Sequence, residues 1–354
     1  MKKGFWDGKR VFLTGHTGFK GTWLALWLHK LGAKLCGYSL EAPTVPNMFS
    51  EVNCPVENTM CRDIRDLEAI ERAMSEFKPE IVFHLAAQPL VRESYHDPVG
   101  TYSTNVMGVV NLFEAIRKVG GVRAVLNVTS DKCYENKEWV WGYRENESMG
   151  GWDPYSSSKG CSELVTASYR RSFFNEENYD SHGCAIATAR AGNVVGGGDW
   201  AVDRLVPDIL KSLHENHQFN IRSPSAIRPW QYVLEPLQGY LILAEKLFNE
   251  GAKFNGAWNF GPTQYEAKSV KWVAKKISEL WGEGGEWVSD SGPTLHEANY
   301  LKLDSSKSNG LLGWYPKLST EQALECVVEW YKAWLLKEDM HEYSLSEIER
   351  YEGR

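Results

Sequence analysis

The stretch TGHTGFKG, residues 14–21, decides the fold, because three glycines recur in it at a spacing of three. An apolar run, Val11–Leu13, precedes it, and the amphipathic stretch TWLALWLHKLG follows and ends at Gly32. Clustered glycines let a backbone approach a ligand closely or take a positive φ. The pattern predicts a strand, a glycine turn and a helix whose N-terminus can hold a diphosphate. The alternative is a glycine-rich turn without a ligand, since such motifs also occur by chance.

The composition is that of an ordinary soluble globular protein of 354 residues, long enough for two lobes, with 43% hydrophobic and 24% charged residues. A net charge of −7 argues against nucleic acid or an anionic membrane surface as the main partner. Seven scattered cysteines without a C-x-x-C pair favour free thiols in a reducing compartment, and no metal is expected. No apolar run approaches the roughly 18 residues of a membrane span, and the N-terminus lacks a signal segment. We therefore expect a cytoplasmic protein.

Strand and helix signals alternate through the first half of the chain. Apolar strands such as EIVFHLAA and RAVLNVTSD point to an α/β fold with a doubly wound parallel (Rossmann) sheet covered on both faces. After about Gly196 the pattern loosens, with two helices expected around Lys268–Trp281 and Thr320–Leu335. We predict a nucleotide-binding Rossmann domain over residues 1–190 and 229–260. A smaller mixed α/β substrate-binding lobe is predicted over residues 191–228 and 261–340, and a charged, frayed tail over residues 341–354.

Two polar segments fall at the carboxyl edge of this sheet, where ligands of doubly wound folds bind. TSDKCY, residues 129–134, ends a strand, and YSSSK, residues 155–159, lies on the next helix. Tyr155 and Lys159 share one helix face, and a nearby ammonium lowers the pKa of a phenol from about 10. A tyrosine so tuned can exchange a proton with a sugar hydroxyl near neutral pH. The alternative is a surface Tyr–Lys pair, because Y-x-x-x-K alone is a weak signal.

These motifs together resemble the extended short-chain dehydrogenase/reductase family, from about Lys9 to Leu335. TGHTGFKG is similar to the T-G-x-x-G-x-x-G turn of that family, and HLAAQ, residues 84–88, to its cofactor motif on the fourth strand. RDIRD, residues 62–66, is similar to the segment that meets the adenine. The resemblance implies NAD as cofactor, held by Gly15, His16, Thr17, Gly18, Phe19, Lys20, Gly21, Asp63, Ile64, Leu85, Ala86, Ala87, Gln88, Asn105, Tyr155 and Lys159.

Longer motifs, among them GYSLEAPTVPNMF, GNVVGGGDWAVDRLVPD and LHEANYLKLDSSK, resemble the CDP-glucose branch of the nucleotide-sugar dehydratases in this family. The resemblance implies conversion of CDP-glucose to CDP-4-dehydro-6-deoxyglucose, with NAD regenerated, for the synthesis of dideoxyhexoses of bacterial surface polysaccharide (O-antigen). It also implies that Tyr155 takes the C4 hydroxyl proton, supported by Lys159, and that Ser130 hydrogen-bonds the same hydroxyl. Asp131 is the candidate acid for the C6 oxygen.

Position 132 is where the chain departs from the dTDP-glucose dehydratases, which carry Asp-Glu where this sequence has Asp131-Lys132. A lysine can remove the C5 proton only if burial lowers its pKa by several units, yet its ammonium would lower the pKa of Asp131 and weaken that acid. Our hypothesis is that Lys132 loses its proton and serves C5; the alternative is a lysine that only shapes the pocket. A 4-epimerase would not need this acid–base pair, and a non-catalytic NAD-sensing module would not keep Tyr155 and Lys159.

Cofactor and substrate recognition are less defined in the sequence. The loop after the second strand, Tyr38–Glu41, lacks the aspartate that usually binds ribose hydroxyls, and no arginine is placed for a 2′-phosphate, which hints at a weaker hold on NAD. The resemblance also implies a homodimer, or a higher oligomer, through helices around Asn105–Val119 and Tyr155–Phe174. Guanidinium groups suit a diphosphate, although a single arginine can also be a solvated loop charge. The candidate substrate contacts are Gln88, Ser130, Asn193, Arg204, Arg222, Arg228, His296 and Tyr300.

Overall fold

A computed structural model describes residue 2 and residues 4–282, 287–289 and 300–354. Seven parallel strands form its main sheet in the order β3-β2-β1-β4-β5-β6-β11. The strands of this sheet are β1 (Arg10–Thr14), β2 (Lys34–Ser39), β3 (Asn58–Cys61), β4 (Ile81–His84), β5 (Ala124–Val128), β6 (Ala185–Ala191) and β11 (Gly256–Phe260). The strand order reverses at β1, with β2 and β3 on one side of it and β4, β5, β6 and β11 on the other, and this switch point opens a crevice at the carboxyl ends of β1 and β4. The predicted doubly wound α/β fold is confirmed.

Fourteen α-helices lie within the described residues. They are α1 (Phe19–Lys30), α2 (Met48–Glu51), α3 (Leu67–Phe77), α4 (Val91–His96), α5 (Pro98–Tyr102), α6 (Gly108–Val119), α7 (Pro154–Ser172), α8 (Tyr179–His182), α9 (Leu205–His214), α10 (Leu234–Glu250), α11 (Val270–Trp281), α12 (Ser306–Leu312), α13 (Thr320–Leu335) and α14 (Met340–Glu352). One core joins a face of the main sheet to α3 and α6, with side chains of α7 at its margin. The larger core joins the other face to α1 and α10, so both faces are covered as predicted.

The second half of the chain adds short strands around the carboxyl edge of the main sheet. They form three two-stranded sheets from β7 (Val194–Val195), β8 (Phe219–Ile221), β9 (Ile227–Arg228), β10 (Gln231–Tyr232), β12 (Lys268–Ser269) and β13 (Trp287–Ser289). Helix α11 starts two residues later than predicted, because Lys268 and Ser269 pair with β9 and the Ser269 side chain caps the helix. The domain boundaries remain a prediction. None of the helices in the described ranges is long and apolar enough to cross a membrane.

The C-terminal segment is a helix, and the expectation of a frayed tail is wrong. Helix α1 is buried along its whole middle, from Gly21 to Leu28, so its outward side needs an apolar cover. Helix α14 supplies part of that cover, with the Tyr351 ring packed edge-on against Trp27. The Tyr351 hydroxyl donates to Glu235 Oε2 at 2.6 Å, and Trp27 Nε1 donates to Glu352 Oε1 at 2.7 Å. The charges that suggested fraying lie on the solvent side or pair with buried groups.

Candidate active site

The glycine turn brings two chain segments closer than any side chain would allow. A Cβ on Gly15, whose φ is +75°, would lie 2.7 Å from Ala86 N, and one on Gly21 would lie 2.1 Å from Gly15 O. Helix α1 begins after Gly18 without a side-chain cap and without an acidic residue in its first turn. The first-turn N–H groups and the positive end of the helix dipole are therefore suited to an anion. The predicted strand, glycine turn and helix are confirmed.

A cavity of about 1020 Å³ runs along the carboxyl edge of the sheet, from the glycine turn to the second half of the chain. Most of the predicted cofactor residues line it: Gly15, Thr17, Gly18, Phe19, Lys20, Gly21, Asp63, Ile64, Leu85, Ala86, Ala87, Tyr155 and Lys159. The same cavity is lined by the predicted catalytic and substrate residues Ser130, Asp131, Lys132, Asn193, Arg204, Arg222 and Arg228. The fold thus gathers residues that are far apart in the sequence around one space.

Gln88 and Asn105, both predicted to bind ligands, are not among the residues that line this cavity. Gln88 N donates to Asn105 Oδ1 at 2.8 Å, and Gln88 Nε2 donates to Thr101 Oγ1 at 2.9 Å. Asn105 is buried in a π-helical segment, Ser103–Met107, that joins α5 to α6. The two amides therefore brace the loop after β4 on the side away from the cavity. Ala86, in the same loop, lines the cavity.

Two more predicted contacts, His16 and Tyr300, are not among the residues that line the cavity. The His16 ring is fully buried, and burial lowers its pKa to about 4, so it is neutral. It lies so close to Gly37 that a Cβ there would be 2.5 Å from the ring. The Tyr300 hydroxyl donates to Val140 O at 3.3 Å, and the cavity is lined by Leu301 instead. His296 lies outside the described residues.

An arginine does stand near the end of β2, contrary to the sequence expectation. Arg62 lines the cavity beside Ser39, and its backbone N–H donates to Ser39 O at 2.8 Å. The hydroxyls of Ser39 and Thr17 are 2.8 Å apart at the same end of the cavity. The expectation failed because β3 pairs with β2, which brings Arg62 beside a loop more than twenty residues earlier in the chain.

Ser130 and Tyr155 occupy the middle of the cavity lining. Ser130 caps the 3₁₀ turn Asp131–Cys133, where its Oγ accepts from Lys132 N at 3.2 Å. Burial raises the pKa of Tyr155 to about 12, and an interaction with the Ser130 hydroxyl opposes that rise. The expectation of a lowered pKa for this phenol is therefore wrong, because desolvation outweighs the opposing effects of the Ser130 hydroxyl and Arg204. Proton transfer from a substrate hydroxyl to Tyr155 needs additional positive charge near the phenol.

Asp131 has an environment that favours the protonated carboxylic acid over the carboxylate. Its side chain is buried, Ser130 Oγ donates to Asp131 Oδ1 at 3.0 Å, and Oδ2 has no hydrogen-bond partner among the described residues. Burial raises the pKa of Asp131, and Lys132 lowers it by a smaller amount. Burial therefore outweighs the charge of Lys132 in its effect on the pKa of Asp131. Lys132 Nζ lies 6.0 Å from the centre of the Tyr155 ring, and its role at C5 remains a hypothesis.

Lys20, predicted to hold the cofactor, faces the catalytic groups. Its Nζ lies 5.8 Å from the centre of the Tyr240 ring. Burial, and to a smaller extent Arg204 and Lys159, lower the pKa of Lys20 to about 7, while Asp131 opposes them. The glycine motif alone cannot reveal this position, because the direction of the side chain depends on the packing of α1 against α10.

We predict that replacing Lys20 with methionine removes a pH dependence of stability. The pKa of Lys20 is about 7 in the folded chain and 10.5 in the unfolded chain, so the unfolded chain binds more protons between these pH values. The free energy of unfolding of the wild type should therefore rise with pH, relative to Lys20→Met, by a few kcal/mol from about pH 7 to pH 10. Urea titrations across this range measure the difference. Lys34→Met, at an exposed lysine of β2, is the control and should parallel the wild type.

Arginines line the cavity on the side of the second half of the chain. Arg204 immediately precedes α9, and its Nη1 donates to Asp199 Oδ2 at 2.8 Å. Arg222 Nη2 lies 3.7 Å from Asp203 Oδ1. Each guanidinium is held by one carboxylate and keeps further donors for a phosphate group. In the described ranges, no three His, Cys, Asp or Glu side chains are grouped so that they could hold a metal ion.

Comparison with known proteins defines the relationship of this chain. The model of a family described as GDP-mannose 4,6 dehydratase matches residues 12–327. The chain belongs to this family. A curated CDP-glucose 4,6-dehydratase from Salmonella typhimurium is 57% identical over 352 residues, which cover 99% of this chain and 98% of the relative. A UDP-glucose 4-epimerase from Mycolicibacterium smegmatis is 26% identical, with 91% of this chain and 98% of the relative covered.

Solved structures with the same fold include both dehydratases and epimerases. A UDP-glucose 4-epimerase from Thermotoga maritima, solved with UDP-glucose, has a TM-score of 0.80 at 25% identity, with 92% of this chain and 99% of that chain covered. A dTDP-glucose 4,6-dehydratase from Bacillus anthracis, solved with NAD, has a TM-score of 0.75 at 20% identity and covers 92% of this chain and 97% of that chain. The fold is therefore shared by family members that differ in their reactions, and the side chains at the site must decide between them.

Proposed function

We propose that this chain converts CDP-glucose to CDP-4-dehydro-6-deoxyglucose and water, with NAD as a cofactor that is regenerated in each cycle. One observation carries the proposal: a buried Asp131 with a raised pKa adjoins Ser130 and Tyr155 on one cavity, in a chain 57% identical to a CDP-glucose 4,6-dehydratase over 99% of its length. Loss of water from C6 needs a group that can protonate the leaving oxygen, which is the chemistry Asp131 offers. The product would supply dideoxyhexoses of a bacterial surface polysaccharide.

The residues around the glycine turn fit a dinucleotide. The backbone of Gly15 and the uncapped start of α1 suit its diphosphate, while Asp63 and Ile64 line the cavity where the adenine would lie. Tyr155 and Lys159 would hold the nicotinamide end. When bound there, NAD would supply the hydride transfer to and from the sugar that the reaction requires.

The side chains of the chain supply the proton transfers. Tyr155 accepts the proton of the C4 hydroxyl, which Ser130 orients, and the positive charge of Lys159 stabilises the phenolate that ionisation produces. The resulting C4 ketone makes the hydrogen on C5 acidic, and Lys132 is the candidate base for it. Asp131 then donates its proton to the C6 oxygen, which leaves as water. Arg204, Arg222 and Arg228 line the cavity where the diphosphate of the substrate would bind.

The alternative activities are those of another nucleotide-sugar 4,6-dehydratase or of a 4-epimerase. Purified protein is incubated in heavy water with NAD and, separately, CDP-glucose, dTDP-glucose and GDP-mannose, and the products are identified by mass spectrometry and NMR. We expect a 6-deoxy-4-keto product from CDP-glucose that carries solvent deuterium at C5. A preferred substrate with another base, or a C4 epimer formed without loss of water, would contradict the proposal. Binding of NAD without any turnover would indicate a non-catalytic sensing module.

We also propose that the chain is a homodimer that associates through the helices around Asn105–Val119 and Tyr155–Phe174. Apolar side chains on these helices support this, since Met107, Leu164 and Phe173 are 50%, 60% and 48% exposed. We predict that Leu164→Glu shifts the protein from dimer to monomer in sedimentation velocity experiments, because a dimer would bury this charge. Leu311→Glu, at a 62% exposed leucine of α12, is the control and should sediment like the wild type.

A further inference from the structure

Behind the catalytic residues lies a buried ion pair to which the mechanism above gives no role. Glu163 on α7 and Arg190 on β6 are 5% and 3% exposed. Arg190 Nη2 donates to Glu163 Oε2 and Arg190 Nε donates to Glu163 Oε1, both at 2.8 Å. A buried ion pair is weak evidence for a role in stability, because the cost of removing two charges from water offsets their attraction. Its position next to the catalytic residues points to a role in catalysis instead.

The pair joins the helix α7 to the strand end that bears the catalytic serine. Thr129, the residue before Ser130, donates its hydroxyl to Glu163 Oε1 at 2.5 Å. On the other side, Arg190 Nη1 donates to the Tyr134 hydroxyl at 2.7 Å. Tyr134 follows directly on the 3₁₀ turn that Ser130 caps. Both ends of the catalytic turn are thus hydrogen-bonded to the same ion pair.

Lys159 is the catalytic group that the charge of Glu163 reaches. It lies one helical turn before Glu163 on α7. Burial lowers the pKa of Lys159 to about 8, and the charge of Glu163 opposes this shift, as does the Cys133 thiol on the catalytic turn. Two other titratable groups interact with the ammonium from neighbouring elements. His84 on β4 is neutral, with a pKa of about 3, and Lys20 on α1 repels Lys159 when it is protonated.

We propose that Glu163 and Arg190 are positioning residues, which hold α7 in register with the catalytic turn and set the charge of Lys159. The inference rests on the proposed function, since it assigns the pair a task in that reaction. Without the carboxylate, Lys159 faces an unpaired buried guanidinium, which disfavours its ammonium form. Without the guanidinium, the buried carboxyl takes up a proton, because Arg190 is the main group that keeps it ionised, and its support for the ammonium is lost as well. Removing either partner therefore disfavours the ammonium form of Lys159, which loss of packing alone would not do.

The test is the pH profile of CDP-glucose turnover by the full chain with NAD, for Glu163→Gln, Arg190→Gln and the double variant. Activity is lost as pH rises through the pKa of Lys159, because the mechanism needs its ammonium. We expect this alkaline limb to move to lower pH by about one unit in Glu163→Gln, which leaves an unpaired guanidinium, and by less in Arg190→Gln, where Glu163 takes up a proton. In both, kcat should fall by about 10- to 100-fold, as expected for misplaced catalytic groups. The double variant should keep a low kcat with the limb where Arg190→Gln has it, because both leave a neutral side chain at position 163 and no guanidinium.

Two matched controls separate charge from packing. Thr188→Val removes a 2.8 Å hydrogen bond to Glu163 Oε2 without changing any charge, and Glu163→Asp keeps the charge but shortens the side chain. In both, the limb should stay at the wild-type pH. Circular dichroism and thermal melting establish which variants fold.

Each folded variant can overturn the proposal. A limb that stays in place in folded Glu163→Gln, or that moves to higher pH in either single variant, contradicts it. A limb above its wild-type pH in the double variant contradicts it as well, and this variant removes both buried charges together should a single variant not fold. Inactivity of the wild type with CDP-glucose is a different result, because it refutes the proposed function before any variant is compared.

Discussion

Turnover of CDP-glucose is expected to fall by about 10³-fold when Tyr155 is replaced by phenylalanine, because the phenol oxygen is the group that accepts the C4 hydroxyl proton. Because burial raises the pKa of Tyr155 to about 12, only a small fraction of the phenol is ionised at neutral pH. Wild-type activity should therefore increase with pH until Lys159 begins to lose its proton near pH 8. Steady-state kcat values for both proteins across this range measure the two effects.

The phenylalanine variant needs a control for binding and folding. The ring stays buried in the same place when only the hydroxyl is removed, so thermal melting and NAD binding should match the wild type. Tyr265→Phe, at a tyrosine that is 91% exposed, is the matched substitution and should retain full activity. Turnover by Tyr155→Phe within tenfold of the wild type would mean that another group removes the C4 hydroxyl proton.

Asp131→Asn is expected to reduce formation of the 6-deoxy product by about 10²- to 10³-fold, because an amide cannot donate the proton that the C6 oxygen needs. Exchange of the C5 hydrogen with solvent should persist, since that step requires the C4 ketone and a base but not the acid. Incubation in heavy water, followed by NMR of the recovered nucleotide sugar, measures deuterium at C5 and product formation in the same sample.

Lys132→Met is the companion variant that separates the two steps. If Lys132 removes the C5 proton, both exchange and product formation should be lost in this variant. Exchange at the wild-type rate in Lys132→Met would refute its role as the base and leave it as a residue that shapes the pocket. Loss of exchange in Asp131→Asn, with the protein folded, would instead mean that Asp131 acts before or during removal of the C5 proton.

The sequence predicted the parts of this protein that depend on local patterns. The glycine spacing of residues 14–21 requires a turn that only glycine can form. Alternating apolar strands and helices were sufficient to predict a parallel sheet covered on both faces. The order of these elements, together with the rule that ligands bind at the carboxyl edge, then brought Ser130 and Tyr155 to one cavity.

Residues whose properties depend on their neighbours in space were predicted less well. The phenol of Tyr155 was expected to have a lowered pKa, but its burial cannot be read from its spacing to Lys159. The position of Arg62 beside Ser39 depends on the pairing of β3 with β2, and the fate of the charged tail depends on the uncovered side of α1. Each of these outcomes follows from contacts between segments distant in the chain.

The sequence by itself therefore determined the fold, the family and the identities of the groups available for proton transfer. The tertiary structure alone decided which of those groups hold a proton, because a pKa depends on how much water and which charges surround the group. The pKa of Asp131 is raised by burial, Lys20 lost much of its affinity for a proton, and Glu163 met Arg190 only through the packing of α7 on β6. The sequence fixes which titratable groups are present, and their desolvation in the folded chain fixes their charge.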